Sequence, residues 1–115
     1  MTTLYGINNC DTVKKTQKWL TTNNVEYTFH DFRKDGFSET LLAQFFELTD
    51  WNNLLNKRST TFRNLDENIK NNLSKESVFK TMLEQPTLIK RPVLIKDGKL
   101  TVGFKEDIYQ STFKQ

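Results

Sequence analysis

The apolar period of this chain changes twice within its first 30 residues, and that alternation restricts the folds open to it more than any other feature. From Thr3 to Ile7 the pattern suits a short buried strand. From Thr12 onward Val13, Thr16, Trp19 and Leu20 recur at helical spacing until Asn23-Asn24 ends the run. Tyr27 and Phe29 then alternate with Thr28 and His30 as a second strand. Strand, helix and strand within about 30 residues make a βαβ unit, which predicts two parallel strands joined by a right-handed crossover.

The other end of the chain is equally patterned. Val93, Leu94 and Ile95 read as a buried strand, Asp97-Gly98 is a two-residue hairpin signal, and Leu100 to Val102 return antiparallel before Gly103 breaks the run. A terminal helix carries Ile108, Tyr109 and Phe113. Between these ends, Ser38 opens a capped amphipathic helix through Leu48, Trp51 to Leu55 form a further helical turn, and Leu65 to Leu83 keep helical spacing. The order βαβ, helices, hairpin, helix predicts an α/β chain with a mixed four-stranded sheet, the thioredoxin-like architecture. The expectation is a single domain over 1–115, with a core of about 1–35 and 86–115 and a helical insertion of about 36–85.

Composition excludes several functions. The longest apolar runs are far shorter than the roughly 20 residues of a spanning helix, and no basic-plus-apolar leader opens the chain. With one cysteine and no disulfide partner, a cytoplasmic location is expected. The net charge of +3 is spread over scattered lysines and arginines, so no direct nucleic-acid or membrane partner is expected. The single histidine, His30, alternates with Phe29 on a strand and has no neighbours with which to build a metal site, so no metal is expected. The glycines are too dispersed for a nucleotide loop.

Cys10 is the residue with chemistry. It falls between the first strand and the helix, beyond the carboxyl end of the strand, where open α/β sheets place their ligands. A thiol there meets the unpaired N–H groups and positive pole of the helix, both of which favour thiolate, the nucleophilic form. Lys14, four residues on, shares the helix face and adds positive charge, while Asp11 subtracts some.

Three blocks carry a family resemblance. The string Tyr5-Gly6-Ile7-Asn8-Asn9-Cys10-Asp11-Thr12-Val13-Lys14-Lys15 with Trp19-Leu20, the block Ile89-Lys90-Arg91-Pro92-Val93-Leu94-Ile95 with Val102-Gly103-Phe104, and Asn56-Lys57-Arg58-Ser59 resemble the arsenate reductase (ArsC)/Spx family, in its YffB branch. The resemblance spans nearly the whole chain and implies Cys10 as nucleophile. It also implies a cis-proline at Pro92 opposite the cysteine, and anion-binding arginines at Arg91 and Arg58, with Asn56 as the alternative register for the second.

Departures from the family pattern narrow the chemistry. Val13 stands where the arsenate reductases carry a polar residue and many Spx regulators a second cysteine, and Phe104 falls where the reductases have a third arginine. Fewer forks remain to hold an oxyanion, which argues against efficient arsenate reduction. With no second cysteine, an external thiol must resolve any mixed disulfide. The resemblance thus implies a glutathione-dependent thiol-disulfide oxidoreductase, with Cys10 reacting, Arg91 and Lys14 holding glutathione, no bound cofactor, and a thiol or disulfide as substrate. The alternative it implies is a non-catalytic, Spx-like regulator that binds RNA polymerase.

Overall fold

A computed structural model of the protein describes residues 1–114. Four strands, β1 (Thr2–Gly6), β2 (Thr28–Asp31), β3 (Val93–Lys96) and β4 (Lys99–Val102), form one sheet in the order β2-β1-β3-β4. β1 pairs parallel with β2 and antiparallel with β3, and β3 pairs antiparallel with β4, so the sheet is mixed as the sequence predicts. The chain reverses between β3 and β4 at Asp97 (φ 49°) and Gly98 (φ 83°). Two consecutive positive φ values are what a two-residue type I′ hairpin requires, and an Asp-Gly pair adopts them at little cost.

Helix α1 (Asp11–Thr22) follows β1 and buries Val13, Thr16 and Leu20. Thr16 is buried without penalty because its hydroxyl donates to the Thr12 carbonyl at 2.7 Å. Gly6 permits the close approach of helix to strand: a Cβ at this position would lie 2.8 Å from Cγ2 of Val13, which is itself fully buried. Leu4 and Leu94 on adjacent strands, Leu20 of α1 and Tyr109 of α7 (Glu106–Thr112) form one buried core cluster. Burying each such leucine contributes about 1.5–3 kcal/mol. Trp19, Phe104 and Phe113 ring Tyr109 at centroid distances of 5.6, 4.9 and 6.1 Å, in edge-on or tilted geometry.

The helices between β2 and β3 form a second compact unit over Phe37–Lys90, the first unit being Met1–Gly36 with Arg91–Gln115. It holds α2 (Glu39–Leu48), α3 (Trp51–Leu54), α4 (Thr60–Arg63), α5 (Glu67–Lys70) and α6 (Lys75–Glu84), followed by a 3-10 turn at Pro86–Leu88. The middle third is broken into short helices because cap residues recur. Ser38, Asp50, Ser59, Asp66 and Ser74 each accept a backbone N–H at a helix start, so each short run is capped locally rather than extended. Leu42, Phe45, Leu54, Leu55, Leu65, Val78, Met82, Leu88 and Ile89 are buried in it. Residues 86–90, grouped with the sheet on sequence grounds, hydrogen-bond into this unit instead. Ile89 bridges Leu55, and the Lys90 N–H donates to the Leu54 carbonyl at 2.8 Å. Among the described residues no helix is long and apolar enough to cross a membrane.

Candidate functional site

The carboxyl end of β1 is where the sheet brings the chemistry together. The strand registers pair Gly6 with Asp31 on one side. On the other side Tyr5 pairs with Val93, so the next position sets Pro92 opposite Gly6. The Pro92 carbonyl in turn accepts the Gly103 N–H at 2.8 Å. Asp31, Gly6, Pro92 and Gly103 thus make one row across the sheet, and the chain leaves that row at Gly6 to reach Cys10. The Arg91-Pro92 peptide bond is cis, as the family resemblance implies.

Cys10 is the N-cap of α1, with extended backbone (φ −96°, ψ 126°). Its carbonyl accepts the Lys14 N–H at 3.0 Å, while its own N–H donates back to the Ile7 carbonyl at 3.2 Å. The thiol makes no capping hydrogen bond and is half-buried, so it is accessible yet lies at the helix pole. Donors of the first helical turn have no partner within the helix ladder, and the cap residue is the one that stands at that end. The helix is 12 residues long, enough for its dipole to be developed.

Of the residues singled out from sequence, Cys10, Lys14, Arg91 and Pro92 belong to the sheet unit. Pro92 is buried, the Lys14 side chain is exposed, and Arg91 is half-buried with its Nε fully covered. Arg58 belongs to the helical unit. It is exposed, its N–H donates to Asn56 Oδ1 at 3.1 Å, and its carbonyl accepts from Arg63 Nη2 at 2.9 Å. Val13 and Phe104, the two departures from the family pattern, are both packing residues here. Val13 lies against Gly6, and Phe104 stands edge-on to Tyr109. His30 is a structural residue: Nε2 lies 2.7 Å from the Gly36 carbonyl and so carries a proton, and the ring packs on Tyr5 at 5.2 Å. Among the described residues no cluster of three or more His, Cys, Asp or Glu could hold a metal.

Sequence reasoning passed over Asp31. This residue is 3% exposed and its carboxylate is fully engaged with backbone donors. Oδ1 accepts the N–H groups of Arg33 (2.8 Å) and Lys34 (3.3 Å), and Oδ2 accepts the N–H of Asn8 at 3.2 Å, in the loop that leads to Cys10. Burial by itself pushes the Asp31 carboxyl up, but the three N–H donors and the Lys34 charge outweigh it and hold the group below the usual aspartate value. A signal was present: an aspartate closing a strand just before Arg33-Lys34-Asp35-Gly36 is a turn-former whose side chain bonds backbone two residues on.

Known proteins resemble this chain in sequence and fold. The ArsC family model matches residues 5–112. An uncharacterized protein of Haemophilus influenzae is 51% identical over 98% of this chain and 99% of its own length. The global transcriptional regulator Spx of Lactiplantibacillus plantarum is 28% identical over 93% of this chain and 82% of its own. Among solved structures, a YffB protein superimposes with a TM-score of 0.90 at 42% identity, covering 96% of this chain and 97% of that one. With the sheet order, the N-cap cysteine and a family match over nearly its full length, the chain belongs to the ArsC family and has its thioredoxin-like fold.

Proposed function

We propose that this protein is a glutathione-dependent thiol reductase in which Cys10 is the only nucleophile. The observation that carries this reading is the placement of a half-buried, uncapped cysteine at the N-terminus of α1, in the chain that leaves β1, whose neighbour β3 is preceded by the cis Arg91-Pro92 bond. The Cys10 thiolate attacks the glutathione sulfur of a glutathionylated substrate, forming a Cys10–glutathione disulfide and releasing the substrate thiolate, which takes up a proton. A second glutathione, as thiolate, then attacks the glutathione sulfur of that mixed disulfide. Oxidised glutathione leaves and the Cys10 thiolate is restored, so each substrate disulfide becomes a thiol at the expense of one free glutathione thiol, the other half of the oxidised glutathione coming from the substrate itself.

The need for an external thiol follows from Cys10 being the one cysteine of the sequence, position 13 holding a valine. Val13 is fully buried against Gly6, so the helix position where a resolving cysteine would sit is committed to apolar contact. Arg91 and Lys14 supply the positive charge that holds glutathione carboxylates. Pro92 is buried, has no N–H, and its carbonyl already accepts from Gly103, so its part is to hold the backbone that carries Arg91 rather than to hydrogen-bond the ligand.

The test is a steady-state assay with a glutathionylated peptide and reduced glutathione, coupled to regeneration of the oxidised product, with intact-mass detection of the adduct. Wild-type protein should turn over and carry one glutathione on Cys10, Cys10→Ser should do neither, and Arg91→Ala should raise KM for glutathione. Arsenate should be a poor substrate. Absence of both adduct and turnover, with retention of RNA polymerase from a purified preparation, would replace this reading with that of a polymerase-binding regulator, which the Spx relative brings into view.

A further inference from the structure

We infer that Asp31 is a positioning residue for Cys10, its carboxylate fixing through the Asn8 N–H the Ile7–Asn9 loop that presents the thiol. This rests on the reading of Cys10 as the nucleophile. Among the described residues, three hydrogen bonds tie the backbone of Gly6–Asn9. The Gly6 carbonyl accepts the Phe32 N–H at 2.9 Å, the Asn8 N–H donates to Asp31, and the Ile7 carbonyl accepts the Cys10 N–H. Two of the three run to the end of β2, and the Asp31 tie is the only one of them made by a side chain.

The chemistry of the side chain separates this role from ordinary turn formation. Closing the turn at Arg33 and Lys34 uses Oδ1 alone, which an asparagine oxygen could do as well. The Asn8 bond uses Oδ2, which reaches 23 residues back along the chain. In asparagine that position would hold an NH₂ facing the Asn8 N–H, donor against donor. A carboxylate, with acceptors on both arms, serves turn and loop together. Asp31 is itself held from behind, its N–H donating to Asp35 Oδ2 at 2.9 Å and its carbonyl accepting the Asp35 N–H at 2.7 Å. When the loop is released, the sulfur loses its fixed place at the N-terminus of α1.

The experiment compares the full chain with Asp31→Asn and with Val78→Ala, a buried substitution in the helical unit that serves as a stability control. Amide exchange of Asn8 and the rate of Cys10 alkylation by iodoacetamide at neutral pH are read together, well below the unfolding midpoint of each variant. In Asp31→Asn the Asn8 amide should exchange faster and alkylation should slow by about tenfold, the scale of losing a hydrogen bond to a charged group. Val78→Ala should leave both within about twofold of wild type. Unchanged Asn8 exchange, or an alkylation rate in Asp31→Asn equal to that of Val78→Ala, overturns the inference. If Asp31→Asn does not fold, the wild-type chain decides: an Asn8 amide that exchanges as fast as a solvent-exposed amide overturns it, and a protected one supports it. Neither readout uses glutathione, so absence of the glutathione adduct would refute the proposed function while these two still judge Asp31.

Discussion

Replacing Tyr109 by phenylalanine should stabilise the sheet unit. Tyr109 is fully buried, and among the described residues its hydroxyl has no hydrogen-bond partner. Burial pushes its phenol pKa far above the ordinary tyrosine range, as expected for a hydroxyl whose charged form nothing solvates. An unmatched buried hydroxyl costs about 1–3 kcal/mol by protein substitution data, and its removal forfeits only the dispersion contacts of one oxygen. The ring contacts with Trp19, Phe104 and Phe113 survive the change. A net gain of about 1 kcal/mol is therefore expected, or roughly 4 °C in Tm for a unit of this size. Trp19 lies 5.6 Å from Tyr109 and reports directly on this core, whereas Trp51 lies in the helical unit, so urea unfolding is best followed by fluorescence in a Trp51→Phe background. The midpoint should rise with the slope unchanged. A loss of more than about 0.5 kcal/mol would refute the reasoning, because it would mean that the hydroxyl is hydrogen-bonded in solution, through buried water.

Three further outcomes follow from the packing and charge around the site. Gly6→Ala brings a Cβ to 2.8 Å from Val13 Cγ2 and should cost about 1–3 kcal/mol, and the double variant with Val13→Ala should recover part of that loss in a urea double-mutant cycle. Phe104→Arg replaces a ring of the Tyr109 cluster by a guanidinium and should destabilise by about 1–3 kcal/mol in urea, without conferring appreciable arsenate turnover. Because the folded-state pKa of Asp31 lies below its unfolded value of about 3.9, its contribution is complete above that pH and is lost as pH falls through the lower, folded value; the stability gap between wild type and Asp31→Asn should accordingly close on acidification below pH ~4.

What could be read from the sequence is what short-range patterning encodes. The strand and helix periods of 1–31, the Asp97-Gly98 turn and the Ser38 cap are set by neighbours a few residues apart, and all four strands lie where those patterns put them. The middle third was legible as helix but not as five short helices, since spacing reveals a helical face whereas its interruptions depend on which serines and aspartates turn their side chains back to cap. The Asp31–Asn8 bond joins residues 23 apart, and neither has a pattern that names the other. Arg58 could be picked out only by family likeness, because an exposed arginine in a polar turn looks the same whatever it faces.

Val13 shows where a sequence departure changes meaning once packing is known. Beside Cys10 it reads as a missing donor or a missing second thiol, a deletion from a family pattern. In the fold it fills the space left by Gly6, and together these two residues set how closely α1 approaches β1 and therefore where the helix pole meets the sulfur. Restoring a polar side chain at position 13 would set a hydroxyl or thiol against the strand in place of a methyl contact, weakening the packing that holds the helix start. Under the proposed function, the single-cysteine chemistry and the tight β1–α1 junction meet in one pair of residues, Gly6 and Val13.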